Sequence, residues 1–208
     1  MRNRRIGILA LQGDFALHGV SLRAAGAETV DVRVSRQLDD LDGLVIPGGE
    51  STALLKLMEG TDFFEAIRGF HDRGGALYGT CAGVILLASR VGSPAQPSIG
   101  LLDVDIQRNG YGRQVDSFET SVPVPLLGDP PLPMIFIRAP VIRSVGAGVE
   151  ILAELRGRPV MVRSGRILAT TFHPELTPDT RIHRLFASMC APVGRGRCVA
   201  SVGGSVLR

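Results

Sequence analysis

Short apolar runs alternate with longer helical stretches through the first half of the chain. Ile6 to Leu11, Val30 to Val34, Leu44 to Ile46 and Ala76-Leu77-Tyr78 read as strands, because each is a short run of apolar or β-branched residues bounded by polar residues or glycine. Between and after them, Phe15 to Ala25, Ala53 to Met58, Phe63 to His71 and Val84 to Ala88 read as helices. Parallel strands need crossovers of this kind, so the alternation predicts βαβ units. From Leu101 onward strand follows strand: Leu101 to Ile106, Phe118 to Val124, Met134 to Ile137, Val149 to Leu155, Val160 to Val162 and Ile167 to Phe172. Antiparallel or mixed pairing is expected there, with turns at Gly157-Arg158-Pro159 and Ser164-Gly165-Arg166. Asp179 to Met189 supplies a closing helix. The expected fold is α/β in three layers, a mixed but mostly parallel central sheet flanked by helices. Residues 1–191 are expected to form a single domain, and 192–208, rich in Gly, Ser and Arg without an amphipathic period, a mobile tail.

Composition narrows the function. A chain of 208 residues, 45% hydrophobic and 21% charged, is globular and buries roughly two-thirds of its unfolded surface. The formal charge of +3 does not point to nucleic acid, because the arginines are scattered and lack interleaved aromatic residues. Cys81, Cys190 and Cys198 make an odd number without Cys-x-x-Cys or Cys/His spacing, which argues against a disulfide framework or a zinc site. No metal or cofactor is called for, and a reducing cytosol is the natural compartment. The basic start resembles a signal sequence, but its apolar run ends too soon at Gln12, and no other run approaches the length of a membrane span.

The chemistry-bearing residues lie in three stretches. Gly79-Thr80-Cys81-Ala82-Gly83 joins an expected strand to an expected helix, the context in which a Gly-x-nucleophile-x-Gly turn is informative. Such a turn holds its central residue in a strained backbone conformation, and the helix that follows directs its positive end at the sulfur. A lone cysteine is more often buried and inert; the flanking glycines reverse that expectation for Cys81, whereas Cys190 and Cys198 have no such setting. His173-Pro174-Glu175 follows a strand, and residues two apart in extended backbone face one side, so His173 is the candidate base and Glu175 its orienter. Alone this pair is more often a solvated surface turn; it gains force from Cys81. His18, His71 and His183 fall in expected helices with no comparable partner, and are read as satisfied or solvent-facing. Pro47-Gly48-Gly49-Glu50-Ser51-Thr52 is a strand-to-helix loop whose glycines let N–H groups turn toward a ligand, with Ser51 or Thr52 capping the next helix. Gly49 N–H and Ala82 N–H are the expected oxyanion donors.

Taken together, Pro47-Gly48-Gly49-Glu50-Ser51, Gly79-Thr80-Cys81-Ala82-Gly83 and Phe172-His173-Pro174-Glu175 resemble, in kind and order, the triad class of glutamine amidotransferases. Leu9-Ala10-Leu11-Gln12-Gly13, Arg113-Gln114-Val115-Asp116-Ser117-Phe118 and Phe136-Ile137-Arg138-Ala139-Pro140 are similar to one branch of it, the glutaminase subunits of pyridoxal 5′-phosphate synthase. The resemblance spans Ile6 to about Met189 and implies a class I amidotransferase, flavodoxin-like fold and hydrolysis of L-glutamine to glutamate and ammonia. It further implies that Gly48, Gly49, Glu50, Ser51, Arg108, Ile137 and Arg138 bind glutamine. A guanidinium from Arg108 or Arg138 suits the substrate α-carboxylate. The family's ammonia passes to a partner synthase barrel, which the resemblance implies also activates the glutaminase. Two features depart from the family pattern: Leu17 stands where an acidic residue usually precedes the histidine of the first helix, and the tail beyond Met189 has no counterpart. The competing readings are a γ-glutamyl peptidase and a catalytically silent scaffold subunit.

Overall fold

The computed structural model describes residues 3–108 and 117–190. The expected tail, Cys198 and the stretch 113–116 lie outside the described residues. The elements of the first half are β1 (Arg5–Leu9), α1 (Phe15–Ala24), β2 (Glu28–Val32), β3 (Gly43–Ile46), α2 (Ser51–Met58), α3 (Phe63–Asp72), β4 (Ala76–Thr80) and α4 (Ala82–Leu87). They are followed by β5 (Ala88–Gly92), β6 (Leu102–Gln107), β7 (Ser117–Val122), β8 (Leu132–Ile137), β9 (Val141–Val145), β10 (Glu150–Leu155), β11 (Arg158–Ser164), β12 (Ile167–Thr170) and α5 (Arg181–Met189). Among the described residues no helix is long and apolar enough to cross a membrane.

Seven strands form the central sheet in the order β10-β11-β12-β4-β3-β1-β2. The run from β12 to β2 is parallel throughout, and β11 and β10 continue it antiparallel at one edge. The expected mixed, mostly parallel sheet is therefore present. Its two faces explain the unbroken apolar strand runs: successive residues of β3 point to opposite sides, Leu44 and Ile46 into one core and Val45 into the other. The first core also takes Leu54 of α2, Ile67 and Phe70 of α3 and Val84 of α4. The second takes Leu22 of α1 and Ile182 and Phe186 of α5. Helices cover both faces, as a sheet buried on both sides requires.

The second half departs from the sequence expectation. The strands after α4 do not all join the central sheet: β5, β6 and β9 form a three-stranded sheet and β7 with β8 a two-stranded one. β5 and β9 escape the apolar pattern because Ser89 and Arg90, and Arg143 and Ser144, are exposed polar residues inside them. Ala88, read as the end of a helix, opens β5, and β2 starts two residues earlier than its apolar run because Glu28 pairs with Arg5 of β1.

Where β3, β4 and β12 lie side by side and parallel, their carboxyl ends open onto one edge. The Gly48-Gly49 loop, Cys81 and His173 follow those three strands respectively. Residues far apart in sequence thus meet where parallel sheets commonly place their sites.

Phe186 fastens α5 to this part of the sheet. It is fully buried, and its ring lies 5.4 Å from that of Tyr78 on β4. Phe186→Ala is expected to cost about 3–5 kcal/mol of unfolding free energy in urea titrations, the range for truncating a buried aromatic. A loss under about 1 kcal/mol would show that α5 is not packed as described.

Candidate active site

Cys81 sits between β4 and α4 at φ 48°, a left-handed backbone that a residue with a Cβ adopts at a cost of order 1–3 kcal/mol. Backbone bonds on both sides hold it there. Its N–H donates to the Thr170 carbonyl of β12 at 2.9 Å, and its own carbonyl accepts the Ile85 N–H of α4 at 3.3 Å. Gly83 lets the turn lie against β3: a Cβ at that position would come within 2.0 Å of the Ile46 carbonyl oxygen. The glycine serves close approach, and the positive φ falls on the cysteine itself.

His173 is positioned from another direction, its N–H donating to the Ile135 carbonyl of β8 at 2.8 Å. Its Nδ1 lies 2.7 Å from Glu175 Oε1, and both side chains are buried. The expected pairing is present, but the backbone is not extended. β12 ends at Thr170, and Pro174–Leu176 make one turn of 3₁₀ helix, for which the fixed φ of Pro174 is suited. Gly48 closes the arrangement from the β3 side; a Cβ there would lie 2.4 Å from His173 Cε1 and 3.3 Å from Cys81 Cβ.

Burial opposes a charge on His173. Hydrogen bonds to Cys81 and Glu175, reinforced by the charges of both, outweigh it and push the imidazole up to about 10. Burial would raise Glu175, but the neighbouring His18 and the hydrogen bond from His173 hold its carboxyl below the usual carboxylate range. The imidazole thus favours its protonated form beside the Glu175 carboxylate.

In front of it lies a cavity of about 230 Å³ lined by Asp14, Gly49, Glu50, Ser51, Cys81, Ile85, Arg108, Ile137, Arg138 and His173. Eight of these were expected as site residues; Gly48, Ala82 and Glu175 stand outside the lining. Arg138 has a φ of 42°, and the Ile137 carbonyl is 4.0 Å from Cys81 Sγ. Arg108 reaches Thr52 Oγ1 at 3.3 Å and Glu50 Oε1 at 3.7 Å. The helix cap expected from Ser51 or Thr52 is made instead by Glu50, whose carboxylate accepts the N–H groups of Thr52 at 3.0 Å and Ala53 at 2.7 Å. Ser51 Oγ donates to Gln96 Oε1 at 3.0 Å. Those bonds to Glu50, with the Thr52 hydroxyl first, hold its carboxyl below its ordinary pKa. A wider groove of about 760 Å³ along α2 and α3 carries no cysteine or histidine among its lining residues.

Two histidines correct the sequence reading. His18 and His183 are fully buried, with His18 Nδ1 3.0 Å from His183 Nε2. His18 Nε2 is 3.4 Å from Glu175 Oε2 and 3.3 Å from Thr80 Oγ1. The signal was present: Leu22 stands four residues after His18 and Phe186 three after His183, so each histidine shares its helix face with a core residue. Asp14, another residue not foreseen, lines the cavity. His71 is satisfied as expected, 3.0 Å from the Gly75 carbonyl. Cys190 is buried, which pushes its thiol up to about 12 and leaves it without nucleophilic character.

Residues 8–192 match the SNO glutamine amidotransferase family. A pyridoxal 5′-phosphate synthase subunit PdxT from Pelotomaculum thermopropionicum is 49% identical over 191 residues, covering 92% of this chain and 97% of its own length. One of the same name from a Parafrankia species is 51% identical, covering 89% of this chain and 92% of its own. A crystal structure of a glutamine amidotransferase superposes with a TM-score of 0.84 at 46% identity, covering 89% of this chain and 98% of that one. A glutamine amidotransferase from Thermotoga maritima, 12% identical with a TM-score of 0.59, covers 90% of this chain and 91% of its own and shares the fold. Shared sequence over nearly the whole described chain, together with the same architecture, means that this protein belongs to the SNO glutamine amidotransferase family.

Proposed function

We propose that this chain hydrolyses L-glutamine to L-glutamate and ammonia through a thioester on Cys81, and delivers the ammonia to a synthase barrel subunit that builds pyridoxal 5′-phosphate. The observation that carries the reading is that Cys81 and His173 line one cavity with Arg108 and Arg138, while His173 Nδ1 lies 2.7 Å from the buried Glu175 carboxylate. Similarity to the pyridoxal 5′-phosphate synthase subunits supports the choice of partner.

Each step uses a group at the site. The Cys81 sulfur attacks the amide carbon of glutamine, and the carbonyl electrons move onto oxygen. Gly49 and Ala82 N–H groups hold that oxyanion, each donor typically worth about a hundredfold or more in rate. His173 gives its proton to the amine as the C–N bond breaks, releasing ammonia and leaving the γ-glutamyl thioester. Water then attacks the thioester while His173 takes a proton, and the thiolate leaves. Glu175 fixes the imidazole tautomer and balances its charge. Arg108 or Arg138 holds the α-carboxylate, with Gly48, Glu50, Ser51 and Ile137 completing the substrate cradle.

The chemistry needs no metal or cofactor, since a thiol and a base suffice. It needs a reduced Cys81, which suits a cytosolic setting. Ammonia released into bulk water would take up a proton and lose its nucleophilicity, which favours transfer inside a docked complex. A glutaminase assay with and without the synthase subunit tests chemistry and partnership together. Turnover of γ-glutamyl peptides by the isolated chain, with glutamine untouched, would replace the reading by a peptidase.

Cys81→Ala is expected to reduce glutamine turnover by about a thousandfold or more while leaving the urea midpoint near wild type. Retained turnover would exclude Cys81 as nucleophile. Nitrogen-15 NMR of the imidazoles is expected to show His173 keeping its proton far above the ordinary 6.5, toward about 10. In Cys81→Ala its pKa falls, because that substitution removes contacts that raise it and leaves the burial that lowers it. A wild-type midpoint near 6.5 would contradict the raised imidazole. Arg108→Ala and Arg138→Ala are expected to be separable by KM: the residue that clamps the carboxylate loses roughly tenfold or more in apparent glutamine affinity. Unchanged KM in both would remove the clamp.

A further inference from the structure

The glutaminase mechanism uses one oxygen of Glu175. The other, Oε2, is buried and has no hydrogen bond of good geometry among the described residues. Leaving a carboxylate oxygen unpaired inside a protein is costly, so the groups around it matter. His18 Nε2 lies 3.4 Å from it, slightly beyond the usual N–H···O range. His18 comes from α1 and His183 from α5, two helices on the sheet face opposite α2 and α3. Neither residue lines the 230 Å³ cavity.

The two histidines constrain each other's tautomers. One nitrogen of each meets the other at 3.0 Å, so one must donate and the other accept. Suppose His18 donates from Nδ1. Its Nε2 is then a lone pair that can accept from the Thr80 hydroxyl but lies 3.4 Å from the Glu175 carboxylate, and His183, accepting at Nε2, carries its proton on Nδ1, which has no partner among the described residues. That choice produces a repulsion and a buried orphan donor. Suppose instead that His183 donates from Nε2. His18 then accepts at Nδ1 and carries its proton on Nε2, within hydrogen-bond reach of Thr80 Oγ1 and with Glu175 Oε2 3.4 Å away, and the Nδ1 of His183, without a partner among the described residues, is only a lone pair. The second arrangement has neither defect.

We infer that His18, held by His183 in its Nε2–H tautomer, is a positioning residue that anchors the second oxygen of Glu175 and so keeps the first oxygen aimed at His173. Both histidines remain neutral for this role. Burial lowers His18 despite the attraction of Glu175, and burial with the neighbouring His18 takes His183 down to about 3. Thr80, within reach of His18 Nε2, immediately precedes Cys81 and couples the same histidine to the nucleophile turn. Tyr78 closes the pocket side-on, its ring 6.1 Å from that of His18 at an interplanar angle of 86°.

This inference rests on the proposed glutaminase reading, and its test separates the two. Steady-state glutamine hydrolysis is measured for wild type, His18→Leu, His18→Gln and His183→Leu, each with the synthase subunit, together with urea melts and nitrogen-15 NMR of the wild-type imidazoles. His18→Leu is expected to lose about tenfold to a hundredfold in kcat with KM within about twofold, the scale typical of removing an outer-shell partner. His18→Gln, which offers an N–H at a similar reach, recovers much of that loss, and His183→Leu falls between wild type and His18→Leu. A folded His18→Leu with wild-type kcat, a loss confined to KM, or equal losses in the Gln and Leu variants would overturn the positioning role. Should His18→Leu fail to fold, the His18→Gln kinetics and the wild-type tautomer decide: His18 protonated on Nε2 is the expected result, and protonation on Nδ1 overturns it. Absence of glutamine hydrolysis in wild type with its partner would instead sink the glutaminase reading, leaving the tautomer measurement to judge the hydrogen bond by itself.

Discussion

A side chain at residue 83 would lie 2.0 Å from the Ile46 carbonyl oxygen, so a glycine there is what allows the Cys81 turn to settle onto β3. The rest of the site follows from that approach. With the turn seated, Cys81 takes its left-handed conformation and its N–H reaches the end of β12. Gly48 repeats the device on the other side, its bare backbone fitting against His173 and Cys81 together. Three strand ends and two close glycine contacts thus define the position of the sulfur, with the surrounding buried core opposing any relaxation.

Electrostatics depends on the same packing. A carboxylate and an imidazolium are both costly to bury, and here each is tolerated because the other lies 2.7 Å away. The proposed reaction exploits this arrangement: the proton needed by the departing amine is already on His173, held there by its contacts with Cys81 and Glu175. Glu50 and Arg108 form a second charged pair in the cavity lining, at 3.7 Å and half open to water on the Glu50 side, so its contribution to stability is small.

The central sheet and the candidate site were legible because both depend on local signals. Leu44 to Ile46 and Ala76 to Tyr78 are apolar on both faces, as only a doubly covered strand is, and the glycines around Cys81 mark a strand-to-helix turn. What escaped reading depends on distant partners. β5 and β9 carry exposed polar residues and exist because β6 lies between them. The Glu50 cap was missed because Ser and Thr are the commoner capping residues, while Glu50 here also answers to Arg108. His18 and His183 lie 165 positions apart; their helical spacing showed that each faces inward, but not that they face each other. The sequence resemblance named the chemistry and much of the pocket lining, and had nothing to say about the layer beneath Glu175.

In the proposed reaction Cys81 carries the glutamyl group between ammonia release and hydrolysis. Mixing glutamine with the chain in complex with its synthase subunit, quenching in acid during turnover and weighing the peptide that contains Cys81 tests it directly. A mass increase of one γ-glutamyl group on that peptide, removable by hydroxylamine, is the predicted result. Continuing turnover with Cys81 unmodified, or the label on another residue, would contradict the account.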